Sequence, residues 1–209
     1  MHMSNEQAWW PVAAPPAPEE DLAQRLAMAA PSDHARGMFL RATLDAVRTL
    51  GDEEAVRRCQ RESGEEQLVD FFIYPVSANL RMLFAAARML ESRYGGFDEA
   101  LRQLGYRAAD SFLASAAGMA LQILARGDAK RLVGHLPSTY RASVNFGVRS
   151  VVWTGPTRGR LSMRREFMPY PFHEGVLLGV LRKANVRGAR VRGLQLSTLE
   201  SDYDVSWEA

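Results

Sequence analysis

Cysteine is almost missing from this chain. Cys59 is the only one in 209 residues, so no disulfide can close within the chain and no cysteine cluster can hold zinc. Histidine is scarce as well: His2, His34, His135 and His173 stand alone, with no second ligand at helical spacing. His173 and Glu174 are adjacent, and neighbours on a helix point apart. No metal site is expected. No run of about 18 apolar residues occurs, so no membrane-spanning helix is expected. Met1-His2-Met3 leads into polar sequence, which lacks the charged start and apolar stretch of a secretory leader. With a single cysteine, that fits a cytoplasmic location. The glycines at Gly95-Gly96 and at Gly155 and Gly159 lack the spacing of a phosphate-cradling loop, and no serine sits in a G-x-S-x-G elbow. The pattern does not read as an enzyme.

What is present is apolar bulk and an uneven charge. At 47% hydrophobic, 209 residues can bury the core of one domain. The net charge is only +2, but Arg126–Arg192 holds fourteen basic residues against three acids. The stretch after it adds Glu200, Asp202, Asp204 and Glu208 and no base. Such a split can mark a surface for phosphates or an acidic partner. It can equally be neutralised within the fold, because the arginines alternate with apolar residues and form no dense cluster. Nucleic acid is therefore not the expected partner.

Residues 1–18 read as a flexible arm, rich in proline and alanine and carrying Trp9 and Trp10, before a single domain over 19–209. Helical periodicity then runs over about Glu19–Ala29, His34–Leu50, Glu53–Arg61 and Leu80–Tyr94. Val69–Tyr74 is a short aromatic segment stopped by Pro75. Asp98–Leu104 reads as a helix broken by Gly105, followed by Ala108–Ala125 and a short helix to His135, with Leu136-Pro137 leading into a sheet. The last third reads strand, turn, strand, helix, strand, turn, strand. Its strands are Ser143–Trp153, Arg158–Phe167, Gly188–Leu199 and Asp202–Trp207, and Tyr170–Ala184 is the covering helix. The fold class is α+β, an N-terminal helical bundle followed by a four-stranded antiparallel sheet built as hairpin, helix, hairpin. The expected core includes Phe39, Leu44, Phe71, Leu83, Phe84, Leu101, Phe112, Leu113, Leu121, Val151, Leu161, Val176, Leu177, Val180 and Leu196.

Two local features can carry a ligand. Arg160, Ser162 and Arg164 share one strand face by period two, a face that holds an anionic group or is simply solvated. Phe167–Gly175 is a corner locked by Pro169 and Pro171, with Tyr170, Phe172 and His173 at a pocket rim or in plain packing.

The blocks Arg36–Phe39, Asp70–Val76, Ala100–Gly105, Trp153–Pro156, Phe167–Pro169, His173–Val176 and Ser201–Trp207 resemble, in order and spacing, a paralogous family of unknown function largely confined to myxobacteria. More distantly, the plan of helices, hairpin, helix and hairpin is similar to the haem-based nitric-oxide/oxygen-binding domain. It is similar also to four-vinyl-reductase-type ligand-binding domains and to vesicle-tethering complex subunits. The haem domain uses a helical histidine about a dozen residues before a proline, and a Tyr-x-Ser-x-Arg strand. Ser162 and Arg164 match the last two positions of that strand, while Arg160 stands in place of the tyrosine. Residues 121–126, ahead of Pro137, hold no histidine, and His135 lies too close to Pro137. The resemblance implies a non-enzymatic regulatory or sensory module that binds a small ligand or a protein partner. Its alternatives are a carrier of an acyl or aromatic ligand and a haem-based gas sensor. No cofactor is expected on the main reading, and a homodimer is compatible with it.

Overall fold

The structure is a computed structural model and describes residues 16–208; the Trp9-Trp10 arm lies outside them. The helical half comprises α1 (Pro18–Met28), α2 (Gly37–Leu50), α3 (Glu53–Ser63), α4 (Val76–Tyr94), α5 (Phe97–Ala114), α6 (Ala116–Ala125) and α7 (Ala129–Ser143). Local chemistry sets its punctuation. Asp52 caps α3 by accepting the Ala55 N–H at 2.8 Å, Asp128 caps α7 through the Arg131 N–H at 2.9 Å, and Gly95 ends α4 in the left-handed region. Two three-residue strands, β1 (His34–Arg36) and β2 (Ile73–Pro75), pair antiparallel ahead of α2 and α4.

The second half is a sheet with a helix across it. Strands β3 (Val148–Gly155), β4 (Arg158–Arg164), β5 (Arg190–Ser197) and β6 (Glu200–Ser206) lie in the order β3-β4-β6-β5, all antiparallel. Helix α8 (Tyr170–Lys183) joins the two hairpins. Alternation along β4 buries Leu161 and Met163 while Arg158 and Arg160 stay exposed. Tyr203 and Val205 of β6 face the same way as Leu161, so one side of the sheet is dry.

Apolar side chains form two clusters. One gathers Leu40, Val47, Leu80, Leu83, Phe84 and Leu101 among the helices. The other gathers Leu113, Leu132, Leu161, Leu177, Val180 and Tyr203 beneath α8. Phe112 and Val176 pack against both, so α5 and α8 are where the halves join. The helices touch there through backbone. A Cβ added at Gly105 would lie 1.9 Å from the Phe172 carbonyl oxygen, and one at Gly175 would lie 1.9 Å from that of Arg102. Only glycine fits at either position.

Several expectations change. Gly105 does not break a helix; α5 runs through it, because the residue is there to admit α8, and the break comes at Ser115. Helix α7 continues through Pro137 to Ser143, so the sheet begins at Val148 rather than Ser143. Residues 34–36 form a strand rather than the first turn of a helix, because β2 offers them a partner. Phe71 is not core: it is 76% exposed, with Phe72 and Ile73 beside it also exposed. Leu196 is 48% exposed, at the irregularity where the β5 register shifts between Gln195 and Ser197. Among the described residues no single helix is long and apolar enough to cross a membrane, though α5 and α6 together pass by length and composition, bent by 85°.

Candidate functional site

The six residues singled out by the sequence occupy three places. Arg160, Ser162 and Arg164 do share one face of β4, the outer one, away from α8. Antiparallel register sets them opposite Asp204, Asp202 and Glu200 of β6. Arg160 donates to both Asp204 oxygens, at 2.8 and 3.2 Å, and Arg164 reaches Asp202 at 2.9 Å and the Ser201 carbonyl at 3.1 Å. The strand arginines are thus matched by the acids of the next strand. Tyr170 sits half-buried at the start of α8, over Gly193. Phe172 and His173 point inward and line a cavity of about 70 Å³ between α2, α4, α5, α7, β3 and α8.

The adjacent pair on α8 diverges as expected. Glu174 turns toward α5 and β5, accepting from Arg102 at 2.6 and 2.9 Å and from the Gly193 N–H at 2.6 Å. His173, 1% exposed, turns into a buried polar wall. There its Nδ1 and the Tyr140 hydroxyl are hydrogen-bonded at 3.1 Å. Its Nε2 lies 3.4 Å from Glu166 Oε1, close enough for an ion pair but not aligned as a hydrogen bond, so among the described residues Nε2 has no hydrogen-bond partner. Glu166 pairs with Arg149, and both side chains are under 5% exposed. Arg149 also donates to the Phe146 carbonyl, and its guanidinium lies 4.9 Å from the Tyr140 ring centre and 5.3 Å from that of Phe146. The Met168 N–H donates to Glu166 Oε1 at 3.1 Å.

Charge balance follows from this geometry. Burial alone would raise the Glu166 carboxyl, but the Arg149 guanidinium, and after it His173, outweigh burial and hold it well below the usual carboxylate range. Burial pushes the Tyr140 hydroxyl up, and the neighbouring Glu166 charge adds to the effect. Tyr203, under the sheet, is raised for the same leading reason.

The rest of the lining is apolar, from Ala35, Ala42, Ala108, Phe112, Leu136 and Val180 among others. At its outer side three rings stack. Phe39 lies 5.6 Å from Phe112 and 5.8 Å from Tyr140, with planes within 15° of parallel, and all three are partly exposed. The three rings, from α2, α5 and α7, all line the cavity.

Arg149, Glu166, Tyr140 and Phe39 were not among the sequence candidates. One signal pointed to Arg149: it falls in phase with Val151 and Trp153 on the dry side of β3, where an unpaired charge is not tolerated. The paired residues come from different elements, and nothing in their spacing announces the pairing. Among the described residues, no group of three or more histidine, cysteine or acidic side chains is placed to hold a metal ion.

A family model described as a protein of unknown function, DUF2378, matches residues 28–208. No curated protein sequence matches the chain. Solved structures match it in fold. A mutant Fe(II) unliganded H-NOX protein from K. algicida shares 14% identity over 83% of this chain and 97% of its own, with a TM-score of 0.63. An oxygen-binding H-NOX domain related to soluble guanylate cyclases, solved as its oxygen complex, shares 9% identity over 83% of this chain and 95% of its own, with a TM-score of 0.62. A structure described as modulating haem redox potential through protein-induced porphyrin distortion shares 9% identity over 82% of this chain and 99% of its own, with a TM-score of 0.58.

Proposed function

The chain belongs to the DUF2378 family of proteins of unknown function, and from that premise we propose that it is a sensory or regulatory module of H-NOX-like fold that takes a small ligand between its helices and its sheet. The observation that carries this reading is the cavity, because its walls come from both halves of the molecule. A ligand there would touch α2, α4, α5 and α7 on one side and β3 and α8 on the other, and would tie their positions together. The one hydroxyl beside a base in the cavity is that of Tyr140 against His173, and burial with the nearby Glu166 charge holds it protonated; Thr43 and Thr139 donate to backbone carbonyls. That supports a binding role over a catalytic one. A protein partner would then read the resulting shift between the halves.

Haem is the group that the fold likeness suggests, and the residues here do not fit it. Among the described residues His173 is the one histidine lining the cavity, and it is held between Tyr140 and Glu166. The cavity of about 70 Å³ is a fraction of the ~300–1,000 Å³ that larger organic ligands occupy. The same volume argues against an acyl-chain carrier.

The test is thermal shift of the full chain against nucleotides, lipids and small organic and volatile compounds, with hydrogen exchange on any compound that stabilises it. Stabilisation with slowed exchange in both α2 and α8 is expected. No shift across the panel, or protection confined to one half, overturns the reading.

A further inference from the structure

The charged wall of the cavity is electrically complete, and the space beside it is small. Arg149 is matched by Glu166 and stacked on Tyr140 and Phe146, while Glu166 also accepts from Met168. An anion entering here would compete with Glu166 for Arg149, and a cation would compete with Arg149 for Glu166. Either would add an unmatched charge to a buried site, which is costly. The two lining threonines offer no spare donor, since Thr43 donates to the Phe39 carbonyl and Thr139 to the His135 carbonyl, each at 3.1 Å. Asn79 of α4 also lines the space, and among the described residues its Oδ1, Arg149 Nε and His173 Nε2 have no hydrogen-bond partner. The site therefore favours an uncharged guest, apolar for the most part, with one polar group such as a hydroxyl that can donate to Asn79 Oδ1 or accept from Arg149 Nε.

Size narrows the guest further. An apolar cavity of about 150 Å³ accepts benzene, and the 70 Å³ here is about half of that. We propose that the cavity is a binding site for a small uncharged molecule of about two to four non-hydrogen atoms, such as a gas or a short alcohol. This proposal rests on the ligand-binding reading above and names the class of ligand. A guest of three atoms, at the upper limit of binding free energy per atom, has a dissociation constant of about a millimolar. The titrations must therefore reach tens of millimolar.

The experiment uses the full chain with xenon, 2-propanol and acetate as probes, read by xenon NMR and by amide chemical shifts. Xenon and 2-propanol should shift saturably the amides around Ala108, Val180 and Phe39. Acetate, similar in size to 2-propanol but charged, should not. Ala108→Val should weaken xenon at least tenfold, and Asn79→Leu should weaken 2-propanol while sparing xenon. Phe39→Ala removes the middle ring of the stack and should admit benzene, which the native chain excludes. A linear, non-saturating xenon response in the native chain, acetate binding as well as 2-propanol, or benzene entering without Phe39→Ala would each overturn the proposal. If these probes fail while larger compounds stabilise the protein, the ligand class falls and the sensory reading stands. If xenon saturates but the response is confined to one half of the molecule, the class stands and the sensory reading falls.

Discussion

Two arginine–carboxylate pairs straddle this sheet, and they differ in almost everything but chemistry. Arg160 and Asp204 face outward with more than half of each side chain exposed, whereas Arg149 and Glu166 lie inside with less than 5% exposed. Water screens the first pair, so it adds little beyond solubility. The second pair has no water to fall back on. Each member makes the other tolerable, and together they hold His173 and Tyr140 in place.

The sharpest way to break this comparison is to remove one inner partner. Glu166→Gln leaves Arg149 buried without its counter-charge and should cost about 3–5 kcal/mol, measured by guanidinium unfolding. Replacing both, as Arg149→Met with Glu166→Leu, should recover most of that loss. The same pair sets an acid dependence. The Glu166 carboxyl is depressed in the folded state, so its contribution is complete above its ordinary value of 4.5 and is lost as pH falls toward the lower native value. Native stability should decline below about pH 4.5 more steeply than that of the Arg149→Met, Glu166→Leu variant.

The outward half of this comparison was legible in the sequence, and the inward half was not. Period-two alternation placed Arg160, Ser162 and Arg164 together because each residue's side of a strand follows from its neighbours. The hairpin, helix, hairpin order followed from turn residues for the same local reason. Glu166 meeting Arg149 depends on how a corner folds back, which no local pattern encodes. Gly105 misled in a related way. A glycine that breaks a helix and a glycine that admits another backbone look identical until the second helix is in place. Phe71 misled because its apolar character says nothing about whether anything covers it.

A smaller effect tests the join between the halves. Gly105→Ala forces a methyl against the Phe172 carbonyl and should cost at least ~1–3 kcal/mol, read as a lower melting temperature. Smallest of all is Arg160→Ala, which should leave the melting temperature unchanged at physiological salt. A large loss there would erase the contrast between the two faces.

The bare contact of α5 with α8 has a mechanical corollary. Elsewhere in a protein, packed elements adjust to each other by turning side chains from one rotamer to another, which absorbs small displacements. Gly105 and Gly175 have no side chains to turn, so that cushioning is missing where the two helices cross. The position of α8 on α5 is therefore set backbone against backbone, at the Phe172 and Arg102 carbonyls, with no rotamer to take up a misfit.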